Sequence, residues 1–145
     1  MITRLVSHSP EETIEIGNQF AKELNSGCVI TLKGDLGSGK TTFTKGIAKG
    51  LDITQTVNSP TFNIQKLYRG RLLLNHIDAY RLEGANQDLG FADYFDDESV
   101  TVIEWADYLG SLWISIDYRI EFIRISDDVR EILIESVSSD ENVNS

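Results

Sequence analysis

The spacing of apolar positions divides the chain into short strands and helices. Ile2 to Val6 is a brief apolar stretch interrupted by Arg4, suited to an edge strand. Thr13, Ile16, Gly17, Phe20, Ala21 and Leu24 then fall on one helical face. That helix opens at Ser9-Pro10-Glu11-Glu12, with Ser9 as N-cap, Pro10 in the first helical position and Glu12 closing a capping box. Asn25-Ser26-Gly27 ends it. Cys28-Val29-Ile30-Thr31-Leu32 is an apolar run suited to a buried strand. Phe43, Gly46 and Ile47 return to helical spacing, and Gly50 stands where a second helix would end.

Beyond Leu51 to Val57, Pro60 disfavours helix at Ser59, so Asn58 to Phe62 reads as an extended or turn segment. Asn63 to Tyr68 and Leu72 to Asp78 predict a hairpin joined at Arg69-Gly70-Arg71. Glu83 to Glu98 is polar and irregular, with a short helix expected around Leu89 to Phe95. Val100 to Ile103 is another apolar strand, ending in Glu104-Trp105. Trp113 to Ile116, Arg119 to Ile125 and Glu131 to Val137 read as further strands, the last two joined across Ser126-Asp127-Asp128. Ser138 to Ser145 is polar, and a disordered tail is expected there. With no internal repeat, residues 1–137 are expected to form one domain, which a length of 145 residues suits.

The stretch between the first buried strand and the second helix carries the clearest chemistry. It reads Gly34-Asp35-Leu36-Gly37-Ser38-Gly39-Lys40-Thr41-Thr42, and the spacing Gly34-x-x-x-x-Gly39-Lys40-Thr41 fits a phosphate-binding P-loop without a mismatch. Glycines let successive backbone N–H groups turn inward toward phosphate oxygens, and the following helix offers its positive end to the same anion. Lys40 can reach the β- and γ-phosphates, and the Thr41 hydroxyl is placed to ligate Mg²⁺. A nucleoside triphosphate with Mg²⁺ is the expected ligand.

Composition narrows the setting. The chain is 41% hydrophobic and 25% charged, and no apolar run approaches the ~18–20 residues that cross a membrane. Ile2 to Val6 is too short and too interrupted for a signal peptide, so a cytoplasmic protein is expected. The single cysteine, Cys28, excludes an internal disulfide and reads as a buried packing thiol; His8 and His76 cannot form a zinc site by themselves. A net charge of −10 argues against an extended nucleic-acid surface. Between Lys33 and Arg81, however, eight basic residues face three acidic ones, a segment expected to surround the polyphosphate.

A nucleotide hydrolase needs a carboxylate near the metal and a group that positions water or senses the γ-phosphate. Val100-Thr101-Val102-Ile103-Glu104 ends in an acid where α/β sheets place their ligands. Asp78, in His76-Ile77-Asp78-Ala79-Tyr80-Arg81, also ends an apolar stretch. Either acid could help hold Mg²⁺ while the other orients water; His76 reads as a structural residue. Thr61 is the switch candidate, its hydroxyl lying in a loop between the second helix and the next strand. Trp105 is either core or an anchor beside the site. An Asn/Thr-Lys-x-Asp guanine motif is absent and arginines are few after Arg81, so ATP is favoured over GTP or a small-molecule kinase reaction.

Four motifs in this order, Gly34 to Phe43, Val57-Asn-Ser-Pro-Thr-Phe62, His76-Ile-Asp-Ala-Tyr-Arg-Leu82 and Val102-Ile-Glu-Trp105, together with Leu89-Gly90 and Tyr94-Phe95, closely resemble the bacterial TsaE family, ATPases of tRNA threonylcarbamoyladenosine biosynthesis. The resemblance extends from about Ser9 to Trp105 and fits the last third only loosely. It implies a P-loop NTPase-like α/β fold, with a largely parallel central sheet, antiparallel strand additions and flanking helices. It implies that Lys40 binds phosphate, that Thr41 with Glu104 holds Mg²⁺, and that Asp78 and Thr61 support hydrolysis or nucleotide sensing, with Trp105 nearby. The implied partners are TsaD and TsaB, through whose complex tRNA is reached, and ATP hydrolysis would let that machinery turn over. The other reading is a nucleotide-dependent binding module with incidental hydrolysis. Ser38 stands where the family often has alanine.

Overall fold

The computed structural model describes residues 2–34, 38–57, 65–78, 98–104 and 116–137. Among these residues the chain forms two helices and one seven-stranded sheet. The elements run β1 (Ile2–Ser7), α1 (Pro10–Lys22), β2 (Cys28–Lys33), α2 (Lys40–Gly50), β3 (Gln65–Arg69), β4 (Leu73–Asp78), β5 (Ser99–Glu104), β6 (Tyr118–Arg124) and β7 (Arg130–Ser136).

Across the sheet the order is β1-β7-β6-β2-β5-β4-β3. The inner strands β6, β2, β5 and β4 are mutually parallel, whereas β3 is added antiparallel on one side and β7 and β1 on the other. The expected sheet, parallel at its centre with antiparallel additions, is the one observed. Edge position for Ile2–Ser7, the β3–β4 hairpin across residues 70–72 and the β6–β7 hairpin also match expectation. Of the strand expected over 113–116, only Ile116 is among the described residues, and it precedes β6. The helix expected around 89–95 and the tail 138–145 lie outside them.

Strand β2 is central because its side chains suit both faces of the sheet. Val29, Ile30, Thr31 and Leu32 are all buried, as parallel strands covered on both sides require. Its start is clamped to the residue before β6: the Asp117 carboxylate accepts the Val29 N–H at 2.8 Å, and the Asp117 N–H donates to the Val29 carbonyl at 2.9 Å.

Both helices stand on one face of the sheet. Ile30, Leu32, Val102 and Ile120 from the strands meet Ala21, Phe43 and Ile47 in a single core. An aromatic series joins the layers: Tyr118 packs edge-on to Phe20 at 5.0 Å, Phe20 meets Phe43 at 6.0 Å, and Phe43 packs edge-on to Phe122 at 5.3 Å between ring centroids. The helices approach closely because glycines line their contact. A β-carbon on Gly17 would come within 2.5 Å of the Phe43 carbonyl, and one on Gly50 within 2.6 Å of the Ala21 β-carbon. Gly50 is therefore the last helical residue and a packing contact, while the chain turns at Asp52, whose φ is 62°.

Two local expectations are corrected. Ser9 caps α1, its hydroxyl accepting the Glu12 N–H at 3.1 Å, but the box is not closed on Ser9 itself. The Glu12 carboxylate instead accepts the backbone N–H of His8 at 3.2 Å and its ring Nδ1–H at 3.1 Å, which holds Glu12 below the usual carboxylate range. Helix α1 also stops at Lys22, with Leu24 N–H turning back to the Ala21 carbonyl. The Arg71 guanidinium collects the freed oxygens, donating to the carbonyls of Ala21 at 2.6 Å, Leu24 at 2.7 Å and Gly50 at 3.2 Å. Arg71 therefore ties the C-terminal ends of both helices, about 15 Å along α2 from Lys40. It does not belong to a ring of charge around the loop, and Lys66 lies over the Tyr68 ring in the β3–β4 hairpin.

Candidate functional site

Parallel strands bring their C-terminal ends to one edge, and three of the sequence candidates converge there. Leu32 of β2 is in register with Glu104 of β5, and Glu104 with Asp78 of β4. The row Leu32–Glu104–Asp78 thus crosses adjacent strands, about 4.8 Å apart. Gly34 follows β2 directly, so the glycine-rich loop leaves the sheet beside the two acids at the centre of the edge.

The loop's described ends show why its residues are what they are. Gly39 has φ 112°, a left-handed conformation that strains any residue with a β-carbon, and it is the residue from which α2 starts. A β-carbon on Gly34 would lie 2.5 Å from Ser38 Oγ and 2.9 Å from the Phe122 carbonyl. The loop can therefore close on itself and lie against β6 only with glycine at position 34. Lys40, the first residue of α2, is buried, and its ammonium group donates to the Gly34 carbonyl across the loop. Ser38 Oγ is buried and has no hydrogen-bond partner among the described residues. Thr41 and Thr42 are half-buried in the first turn of α2. Asp35, Leu36 and Gly37 lie outside the described residues, as do Thr61 and Trp105.

Glu104 is 5% exposed. A carboxylate that deep must be hydrogen-bonded, and its partner is a residue that sequence reasoning had set aside. His76 is fully buried on β4 in register with Val102, diagonal to Glu104, and its Nε2 lies 2.6 Å from Glu104 Oε2. Its Nδ1 is buried with no hydrogen-bond partner among the described residues. The signal was the position of His76 two residues before the end of an apolar stretch; without the register of β4 on β5 it had no meaning.

Two further neighbours of the loop were missed. The Phe122 ring stands 3.8 Å and the Thr13 methyl 3.9 Å from the position of a β-carbon on Gly39. Strand β6 and the first turn of α1 therefore flank the loop. Thr13 is held in place by Ser7, their hydroxyls 2.6 Å apart.

A glycine-rich turn between a central parallel strand and a helix, with acids ending the neighbouring strands, is a P-loop NTPase-like arrangement. Comparison with solved structures agrees: the crystal structure of YdiB from Bacillus subtilis superposes with a TM-score of 0.81 at 37% identity, covering 99% of this chain and 90% of that one. The family model for threonylcarbamoyl adenosine biosynthesis protein TsaE matches residues 7–132. The tRNA threonylcarbamoyladenosine biosynthesis protein TsaE of Bacillus subtilis is 46% identical over 132 residues, 90% of this chain and 84% of that protein. Its namesake in Treponema pallidum is 37% identical over 133 residues, 90% of this chain and 98% of that protein. The chain belongs to the TsaE family, with a role in tRNA threonylcarbamoyladenosine biosynthesis. The match continues through β6 into β7, beyond the Trp105 limit set by the motifs.

Proposed function

We propose that this chain binds ATP with Mg²⁺ at the loop between β2 and α2 and hydrolyses it, slowly alone and faster in contact with TsaD- and TsaB-like partners. In that role it would support turnover of the assembly that modifies tRNA, reaching the tRNA mainly through the complex. The observation that carries the reading is the row of Leu32, Glu104 and Asp78 beside Gly34, which sets two acids next to a phosphate-type loop.

The residues fit a magnesium nucleotide. Ser38 Oγ is a buried polar atom without a partner among the described residues, and Lys40 presents its ammonium to an oxygen acceptor across the loop. Mg²⁺ prefers oxygen donors, keeps several waters and takes one or two protein ligands; the Thr41 hydroxyl and the Glu104 carboxylate are that kind of donor set. When bound, the ion neutralises charge on the β- and γ-phosphates. The chain's own part is to hold the phosphates with loop N–H groups and Lys40, and to keep the Glu104 carboxylate fixed in a buried edge position. Asp78 and Thr61 are assigned to orienting water or sensing the γ-phosphate.

The test is ATP turnover by wild type and Glu104→Ala, each with and without TsaD and TsaB homologues. Wild type should be slow alone and accelerate with partners, and Glu104→Ala should lose both rates. Full activity of Glu104→Ala in both conditions would remove the metal assignment. Partner docking that needs ATP but is untouched by loss of turnover would favour a binding module.

A further inference from the structure

We propose that His76 is a positioning residue for Glu104: its Nε2–H fixes one carboxylate oxygen so that the other is presented to the Mg²⁺ of a bound nucleotide. The inference rests on the metal assignment of Glu104 made above and adds the residue that orients it.

The geometry is specific. The two side chains meet at 2.6 Å across neighbouring parallel strands, with side-chain exposures of 0% and 7% for His76 and Glu104. An ionised carboxylate has only acceptor sites, so the proton in this bond sits on Nε2 and the histidine donates. His76 Nδ1 has no partner among the described residues. Buried histidines placed for packing commonly satisfy both ring nitrogens; among the described residues this ring makes one hydrogen bond, and it goes to Glu104. The backbone makes the contact reproducible. Because Asp78 is paired with Glu104 and His76 with Val102, the His76 ring reaches Glu104 diagonally from two residues earlier on β4. Strand β4 therefore delivers His76 to hold the Glu104 carboxylate. Carboxylate ligands oriented by such hydrogen bonds lose metal affinity when the orienting group is removed.

The experiment measures binding of Mn²⁺, as a probe for Mg²⁺, to the full chain saturated with ADP, by electron paramagnetic resonance. ADP affinity in EDTA and the thermal midpoint are measured alongside. His76→Leu should weaken Mn²⁺ about 10–100-fold while leaving metal-free ADP affinity unchanged. His76→Gln, whose amide N–H can take the place of Nε2–H, should recover most of the loss, and the shorter His76→Asn should not. Should His76→Leu fail to fold, the Gln and Asn pair decides. Unchanged Mn²⁺ affinity in His76→Leu, or equal affinities in Gln and Asn, overturns the positioning role, as does a loss of metal-free ADP affinity parallel to that of Mn²⁺. Glu104→Ala separates the two levels: if it too binds Mn²⁺ normally, the metal assignment fails; if it alone loses Mn²⁺, only the role of His76 does.

Discussion

The backbone carbonyl of Phe43 on α2 faces Gly17 on α1 so closely that a β-carbon there would stand 2.5 Å from the oxygen. Nearby, a β-carbon on Gly46 would collide with the Ile14 carbonyl and come within 3.0 Å of the Asn18 nitrogen. The helix that follows the loop is thus held against α1 backbone to backbone, and its first turn carries Lys40, Thr41 and Thr42.

Alanine at these positions should therefore destabilise the protein, against the helix scale. In an exposed helix, glycine to alanine gains about 1 kcal/mol. Here the helices must part, which costs about 1–3 kcal/mol when a packed contact is overfilled. Gly17→Ala and Gly46→Ala are expected to lower the urea midpoint; a rise in either would contradict the close approach.

Arg71 should matter for stability and not for nucleotide binding. Its guanidinium bridges three carbonyls at the ends of two helices, a fork that lysine cannot reproduce. Arg71→Ala should cost about 2 kcal/mol, at the scale of hydrogen bonds made by a charged group. Arg71→Lys should recover less than half of it, while ATP affinity of the folded protein stays unchanged in both. Urea unfolding and an ATP titration read the two effects separately.

Lys40→Ala should lose most nucleotide affinity. Hydrogen bonds from a charged group contribute about 1.5–3 kcal/mol, so ATP should bind roughly 10–100-fold more weakly. Isothermal titration checks this, and equal affinity would remove the basis for a phosphate site at the loop.

Cys28 gives the protein an alkaline weakness. Burial, then the nearby charge of Asp117, pushes its thiol from the ordinary 9.0 up to about 12. The folded state holds the proton where the unfolded chain releases it. The stabilisation is complete below pH 9.0 and is lost as pH rises toward about 12. Burial also raises Tyr118, which acts in the same direction. Between pH 8 and pH 10.5 the urea midpoint should fall less for Cys28→Ala than for wild type, since the variant lacks the thiol. The native thiol should also react far more slowly with iodoacetamide at pH 9 than the unfolded one. Equal slopes and fast native labelling would show the thiol to be unburied.

Much of this was legible along the chain because it depends on neighbours in sequence. Apolar alternation and helical spacing located each described element to within a few residues, and the glycine-rich loop carried its own context of strand before and helix after. Errors arose where a residue's role came from a distant one. Arg71 counted as part of a basic segment until the ends of α1 and α2 were seen to meet its guanidinium. Gly50 does end α2 as its position suggested, but only the packing shows that its missing side chain also makes room for Ala21.

The sequence by itself determined the loop chemistry, the strand–helix order and the candidate acids, since spacing and residue type decide these locally. Only the tertiary structure decided that Asp78 and Glu104 share one edge, that β6 lies beside β2 and that His76 meets Glu104. Strand order and register are set by side chains packing across the sheet, between residues 28 positions apart in the case of His76 and Glu104. A one-residue slip of β4 on β5 would turn His76 to the opposite face and leave the Glu104 carboxylate buried without its donor.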